Sequence, residues 1–183
     1  MKIIDLQADR QDHIAQAAQL LMSAFKPTPS GWPDLASALE EVADSLQPDR
    51  ISRVAVLDDR VVGWAAGLAQ YDGQVWELHP LVVQPARQGQ GIGRSLVQDF
   101  DRCVSERGGI SISLGTDDED GRTNLGGVDL YPDVLARLAR IENLHGHPYG
   151  FYIKMGFTIV GIIPDANGFG KPDILMAKRV GTE

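Results

Sequence analysis

Residues 76–100 read WELHPLVVQPARQGQGIGRSLVQDF, and their reading decides the fold. Leu81-Val82-Val83 is β-rich and Pro85 stops it, which predicts a strand over Trp76–Val83. Ile92, Leu96, Val97, Phe100, Cys103 and Val104 recur on one face of a 3.6-residue period, and Gly108-Gly109 ends the run, which predicts a helix. Between them lies Gln88-Gly89-Gln90-Gly91-Ile92-Gly93. Glycine lets backbone N–H groups converge on a ligand, and a helix start leaves N–H groups unpaired with partial positive charge. The stretch therefore reads as an anion cradle, with phosphate as the natural occupant. A flexible turn without a ligand is the competing reading. A dinucleotide fingerprint is excluded because Arg94 stands where its third glycine belongs. A Walker A loop is excluded because Arg94-Ser95 replaces Gly-Lys.

Working outward, 183 residues suit a single domain over 1–183 with a substantial core. Hydrophobic residues at 43% and charged residues at 23% give an ordinary globular balance. No apolar run is long enough to cross a membrane, and the first residues turn acidic and polar too soon for a signal peptide. One cysteine, Cys103, excludes an internal disulfide and reads as a core thiol. A cytoplasmic protein is the expectation. The net charge of −8 argues against nucleic acid, which calls for a basic face, and favours a cationic small molecule.

A first strand is predicted at Lys2–Leu6. A helix capped by Asp12 carries Ile14, Ala17, Ala18, Leu21 and Phe25. Residues 26–33, KPTPSGWP, read as a loop, and a second helix presents Leu35, Leu39, Val42 and Leu46. Ile51–Leu57 and Val61–Ala69 form a hairpin about Asp58-Asp59-Arg60, and Tyr71-Asp72-Gly73 turns into the Trp76 strand. Beyond the Arg94 helix come a strand at Ile110–Leu114, an acidic loop, helices at Tyr131–Leu144 and Pro148–Met155, and closing strands at Phe157–Ile163 and Ile174–Ala177. The pattern implies one mixed sheet with helices on both faces, the strands flanking the Arg94 helix running parallel.

Glu77 and His79 lie two apart on a strand and so share a face, away from Trp76 and Leu78. An acid and an imidazole just before a phosphate loop suit proton removal from an amine; a polar pair that merely holds the sheet is the alternative. GTDDED, 115–120, gathers four acids. An EF-hand frame fails, since Gly127 falls where the bidentate Glu belongs. The loop is either a solvated acidic turn or a dock for a polycation. His145-Gly146-His147 lacks further ligands at metal spacing, so no metal is expected. No G-x-S-x-G elbow supports a hydrolase.

The element order, and a loop that matches Q/R-x-x-G-x-G/A at Gln88–Gly93, resemble the GNAT acetyltransferase superfamily. WELHPLVV, RGGISISLGTDDED, ENLHGHPYGFYIKMGF and PDANGFGKPDILMAK resemble aminoglycoside 6'-N-acetyltransferases of the homodimeric chromosomal type. This likeness runs from about Trp76 to Lys178; the first third shares layout more than wording. The resemblance implies an α+β GNAT fold, a central mixed and mostly antiparallel sheet between helices in three layers. It also implies acetyl-coenzyme A as co-substrate, no metal, and a homodimer.

Residue by residue, the resemblance places Glu77 and His79 in the active-site cleft, with Glu77 as the base or the residue that docks the amine. It places the Leu81 amide on the thioester oxygen, if the strand end is bulged, and Tyr152 as donor to the coenzyme sulfur. Leu81, Val82 and Val83 would meet the pantetheine arm. Gln88, Gly89, Gln90, Gly91, Ile92, Gly93, Arg94 and Ser95 would hold the phosphates. The resemblance points to Asp120 as the residue nearest the drug; by residue type alone, Asp117 joins it as a substrate-binding candidate, Trp32 could stack on a sugar ring, and Glu40, Glu41 and Asp44 could extend the acidic field. Phe157 stands where relatives carry tyrosine. The first reading is therefore acetyl transfer to the 6'-amine of an aminoglycoside by direct attack in a ternary complex, with antibiotic resistance as a consequence. Two alternatives stay open: another acceptor such as a polyamine or basic peptide, and a coenzyme A-binding module without turnover.

Overall fold

The computed structural model describes residues 1–25 and 31–181. Lys26–Ser30, most of the first predicted loop, lies outside the described residues. Contacts group the chain into two compact units, Met1–Ile112 and Ser113–Glu183. The elements run β1 (Lys2–Asp5), α1 (Gln11–Ala24), α2 (Leu35–Asp44), β2 (Arg50–Leu57), β3 (Arg60–Gln70), β4 (Val75–Val83), α3 (Ile92–Glu106), β5 (Ser111–Asp117), α4 (Val134–Leu138), α5 (Tyr149–Lys154), β6 (Thr158–Ile163) and β7 (Asp173–Arg179). Hydrogen-bonded strand order is β1-β2-β3-β4-β5-β7-β6. The fold is α+β with a mixed, mostly antiparallel sheet; β1–β2, β2–β3, β3–β4 and β6–β7 all pair antiparallel.

In the first unit, the two-residue period of β3 sorts its side chains onto opposite faces. Trp64 and Ala66 join Ile14, Ala17, Leu21, Ala38 and Val42 in a core beneath α1 and α2. The Trp64 indole is paid for inside that core by the Ser52 hydroxyl, which accepts its N–H at 3.0 Å. The alternate residues Gly63 and Gly67 face α3. A Cβ on Gly63 would stand 2.9 Å from Ile92 and Leu96; one on Gly67 would stand 2.5 Å from Phe100. Glycine is therefore what lets α3 lie flat on the sheet. On this face Arg53 is held by Asp99 of α3, Nε to Oδ2 at 2.6 Å, and also pairs with Asp5.

The β3–β4 register breaks once. Gly67 stands opposite Leu78 but Ala65 opposite Leu81, so Ala66 faces two residues, His79 and Pro80. This is a β-bulge. It leaves Glu77, opposite Leu68, and Val82, opposite Trp64, both on the α1–α2 side although they are five residues apart.

Three local expectations are corrected. Asp12 does not cap α1: Arg10 is the N-cap residue and grips both Asp12 carboxylate oxygens, at 3.0 and 2.9 Å. The side-chain cap belongs to α2, where Asp34 accepts the Ser37 N–H at 2.9 Å. The strand after α3 starts at Ser111 and runs through Asp117, so it takes in the head of the acidic stretch. Burial alternates through Ile112, Leu114, Thr116 and Asp118. The helix expected over Tyr131–Leu144 is confined to Val134–Leu138. The Asn124 side chain takes the Arg140 carbonyl and the Glu142 N–H, each at 2.9 Å, and so removes backbone groups a longer helix would need.

In the second unit, Phe157, Ile174 and Met176 are buried. The buried Asp118 carboxylate accepts the N–H groups of Arg122 and Thr123 and the Thr123 hydroxyl, at 2.6 to 2.9 Å, which folds residues 118–123 around it.

Candidate functional site

The glycine loop takes the form its composition asks for. Gly89 and Gly91 have φ of +76° and +86°, conformations that L side chains rarely adopt. Gly91 is the N-cap of α3 with no side-chain cap, and the first helical bond runs from the Ser95 N–H to the Gly91 carbonyl at 3.0 Å. The N–H groups of Ile92, Gly93 and Arg94 thus open the helix with no side-chain oxygen over them. The Gln88 and Gln90 amides fold back on the carbonyls of Val83 and Ala86, each at 3.4 Å, and shape the loop that precedes α3. Arg94 is exposed and Ser95 half-buried in the first turn. Helix dipole, free N–H groups and absent Cβ atoms together fit a pyrophosphate.

Glu77 and His79 lie on β4 at the α1–α2 side. Glu77 is half-buried and one carboxylate oxygen accepts the Gln70 amide at 2.6 Å. No cation pairs with Glu77 among the described residues. The exposed His79 ring lies against Trp32, whose other neighbour is Phe25, with centroids 6.0 and 5.3 Å away. A carboxylate and an aromatic wall thus belong to one side of one strand. Leu81 follows the bulge directly and is half-buried, as is Val83, while Val82 is buried.

In the second unit, Tyr152 sits on α5 between Phe151 and Phe157, with ring centroids 5.2 and 5.6 Å away in edge-to-face geometry. Burial pushes its phenol up to about 12. Its hydroxyl makes no hydrogen bond among the described residues. The phenol is therefore neutral at physiological pH. The acidic stretch divides by role. Asp118 is inward and committed to backbone. Asp117 and Asp120 are exposed; Asp117 accepts the Asn167 amide, and Asp120 lies 3.3 Å from the Arg122 guanidinium. His147 has both ring nitrogens committed, one to the Asp117 carbonyl at 3.0 Å and one to the Tyr149 N–H at 3.1 Å. Burial holds its pKa below the usual histidine value. It is a structural pin with no lone pair left for a metal.

Cys103 on α3 is buried, and burial pushes its thiol up, which makes it a poor nucleophile. Sequence reasoning missed Gln70. The signal was the short turn between β3 and β4, which brings residue 70 diagonal to residue 77 once its length is known.

Residues 15–126 match the Acetyltransferase (GNAT) family. Three solved structures align over 100% of this chain and 99% of their own. They are an aminoglycoside 6'-N-acetyltransferase complexed with coenzyme A (40% identity, TM-score 0.92), the aminoglycoside 6'-N-acetyltransferase from Enterococcus faecium (42%, 0.90) and an aminoglycoside 6'-acetyltransferase type Ii (36%, 0.77). Comparison with curated proteins finds no match. A family match over most of the chain, with full-length likeness at this identity, leaves one assignment: the chain belongs to the GNAT family of acetyltransferases.

Proposed function

We propose that the protein is an aminoglycoside 6'-N-acetyltransferase with acetyl-coenzyme A as co-substrate. The observation that carries this is the Glu77 carboxylate, without an ion pair among the described residues, on the same strand, β4, as His79, whose ring packs on Trp32; that strand feeds an uncapped, glycine-opened α3. A net charge of −8 adds a field that draws a polycation. Full-length identity of 40–42% to structures of that activity supports the acceptor class.

Gly89–Ser95, with Gln88, would hold the pyrophosphate, and Leu81, Val82 and Val83 the pantetheine arm. Bound there, acetyl-coenzyme A supplies an activated acetyl thioester. Glu77 takes the proton from the 6'-ammonium, directly or through water and with His79 beside it, and frees the lone pair that forms the new C–N bond. Such a base contributes about 10²–10⁴-fold. The Leu81 amide donates to the carbonyl oxygen as it gains charge. Tyr152 would donate its hydroxyl proton to the sulfur that departs as the C–S bond breaks, and the proton shed by the new amide nitrogen, carried by solvent, would restore the phenol. Trp32 would stack on a sugar ring, and the exposed Asp117 and Asp120 would attract the ammonium groups of a polycation. The product has lost a positive charge and a hydrogen-bond donor, so the drug would grip RNA less well and resistance would follow. The chain would act as one domain and as a homodimer. The homodimer rests on the resemblance, and light scattering would test it.

The experiment is coenzyme A thiol release with kanamycin, with its analogue bearing hydroxyl at 6', and with spermidine. Release with kanamycin alone is the expected result. Release with spermidine alone would move the protein to another acceptor class.

A further inference from the structure

We propose that Gln70 is a positioning residue for Glu77, an inference that rests on the reading of Glu77 as the base. Gln70 ends β3 opposite Val75, while Glu77 pairs opposite Leu68. The two side chains therefore lie diagonally on one face, within reach of long side chains. The Gln70 Nε2 donates to Glu77 Oε2 at 2.6 Å, and both residues are half-buried. One carboxylate oxygen is thus fixed, which sets the rotation of the group and presents Oε1 for the acceptor.

The chemical type of the partner matters. A lysine or arginine here would orient Glu77 but neutralise it, weakening both its pull on a cationic acceptor and its hold on a proton. The glutamine amide orients without adding charge. Glu77 has no ion pair among the described residues, so its negative charge stays available. A role confined to holding the hairpin would not depend on that neutrality.

The test is a double-mutant cycle on the full chain with kanamycin and acetyl-coenzyme A, using Gln70→Leu, Glu77→Gln and the pair, with Gln70→Lys as a fourth variant and thermal denaturation of each. Gln70→Leu is expected to lower kcat about tenfold with little change in acceptor KM, and to cost nothing further in the Glu77→Gln background. Gln70→Lys is expected to raise acceptor KM several-fold, because it cancels the charge, which a merely structural contact would not do. Equal losses from Gln70→Leu in both backgrounds, or wild-type kinetics in Gln70→Leu, overturn the positioning role and leave the acetyltransferase reading standing. A Glu77→Gln enzyme with full activity, or a wild-type protein that neither acetylates nor binds kanamycin, overturns that reading and this inference with it.

Discussion

The Trp32 ring lies 6.0 Å from the His79 ring, tilted by 35°. This contact ties the segment before α2 to the strand that carries Glu77. It gives the first third of the sequence a physical stake in the proposed acceptor site. Trp32→Ala is expected to raise the aminoglycoside KM about tenfold, the loss of roughly one aromatic contact, with kcat nearly unchanged. Steady-state kinetics at fixed acetyl-coenzyme A would check it, and a comparable fall in kcat would contradict it.

Tyr152→Phe removes a hydroxyl that burial keeps protonated. We expect kcat to fall by about tenfold or more and the coenzyme A affinity to hold. Because the phenol sits at about 12, kcat should show no Tyr152 limb below pH 10 in the parent enzyme. An alkaline limb near neutrality that vanishes in Tyr152→Phe would refute the assignment of a neutral donor.

Gly67→Ala would place a Cβ 2.2 Å from the Glu77 carbonyl oxygen and 2.5 Å from Phe100. Backbone and a buried ring must both shift, so a destabilisation of about 1–3 kcal/mol is expected. Urea denaturation would measure it. Because the clash falls on the backbone of Glu77 itself, activity at a temperature where the variant remains folded should fall too.

Arg53→Met leaves Asp99 in a half-covered position without its main cation. In the parent, burial works to raise the Asp99 carboxyl, and the hydrogen bonds from Arg53 and Arg102 overcome it to hold the value below normal. The stability this contributes is present above the unfolded carboxylate value of 3.8 and is lost as pH falls through the lower folded value. Arg102 stays paired with Asp99, so the variant should lose about 1–3 kcal/mol at pH 7, with a gap to the parent that narrows as pH is taken below 3.8. A gap constant with pH would show that packing, not charge, carries the loss.

The helical face of α3 was legible in full: the six residues read from spacing, Ile92, Leu96, Val97, Phe100, Cys103 and Val104, are the six it buries. The glycine loop was legible because φ > 0 at Gly89 and Gly91 is a local demand that only composition can meet cheaply. What escaped was set by partners distant in sequence. Nothing near Arg140 announces that Asn124, 16 residues earlier, takes its carbonyl and stops α4. Nothing near Arg53 points 46 residues ahead to Asp99. The inward turn of Asp118 was hidden because four acids in a row read as solvent-facing until β5 is extended through Asp117.

The bulge at His79 and Pro80 acts on β4 as a frame change acts on a message read two letters at a time. Upstream of it, odd-numbered Glu77 shares the side of α1 and α2; downstream, even-numbered Val82 does. Removing one residue there would restore a uniform register, and no substitution elsewhere in β4 would then serve both halves. The strand could keep Glu77 on the α1–α2 side or keep residues 81–83 in phase with β3, but not both. Within this fold, a one-residue deletion at 79–80 should therefore be tolerated far less well than any single replacement there, though it removes no core side chain larger than proline.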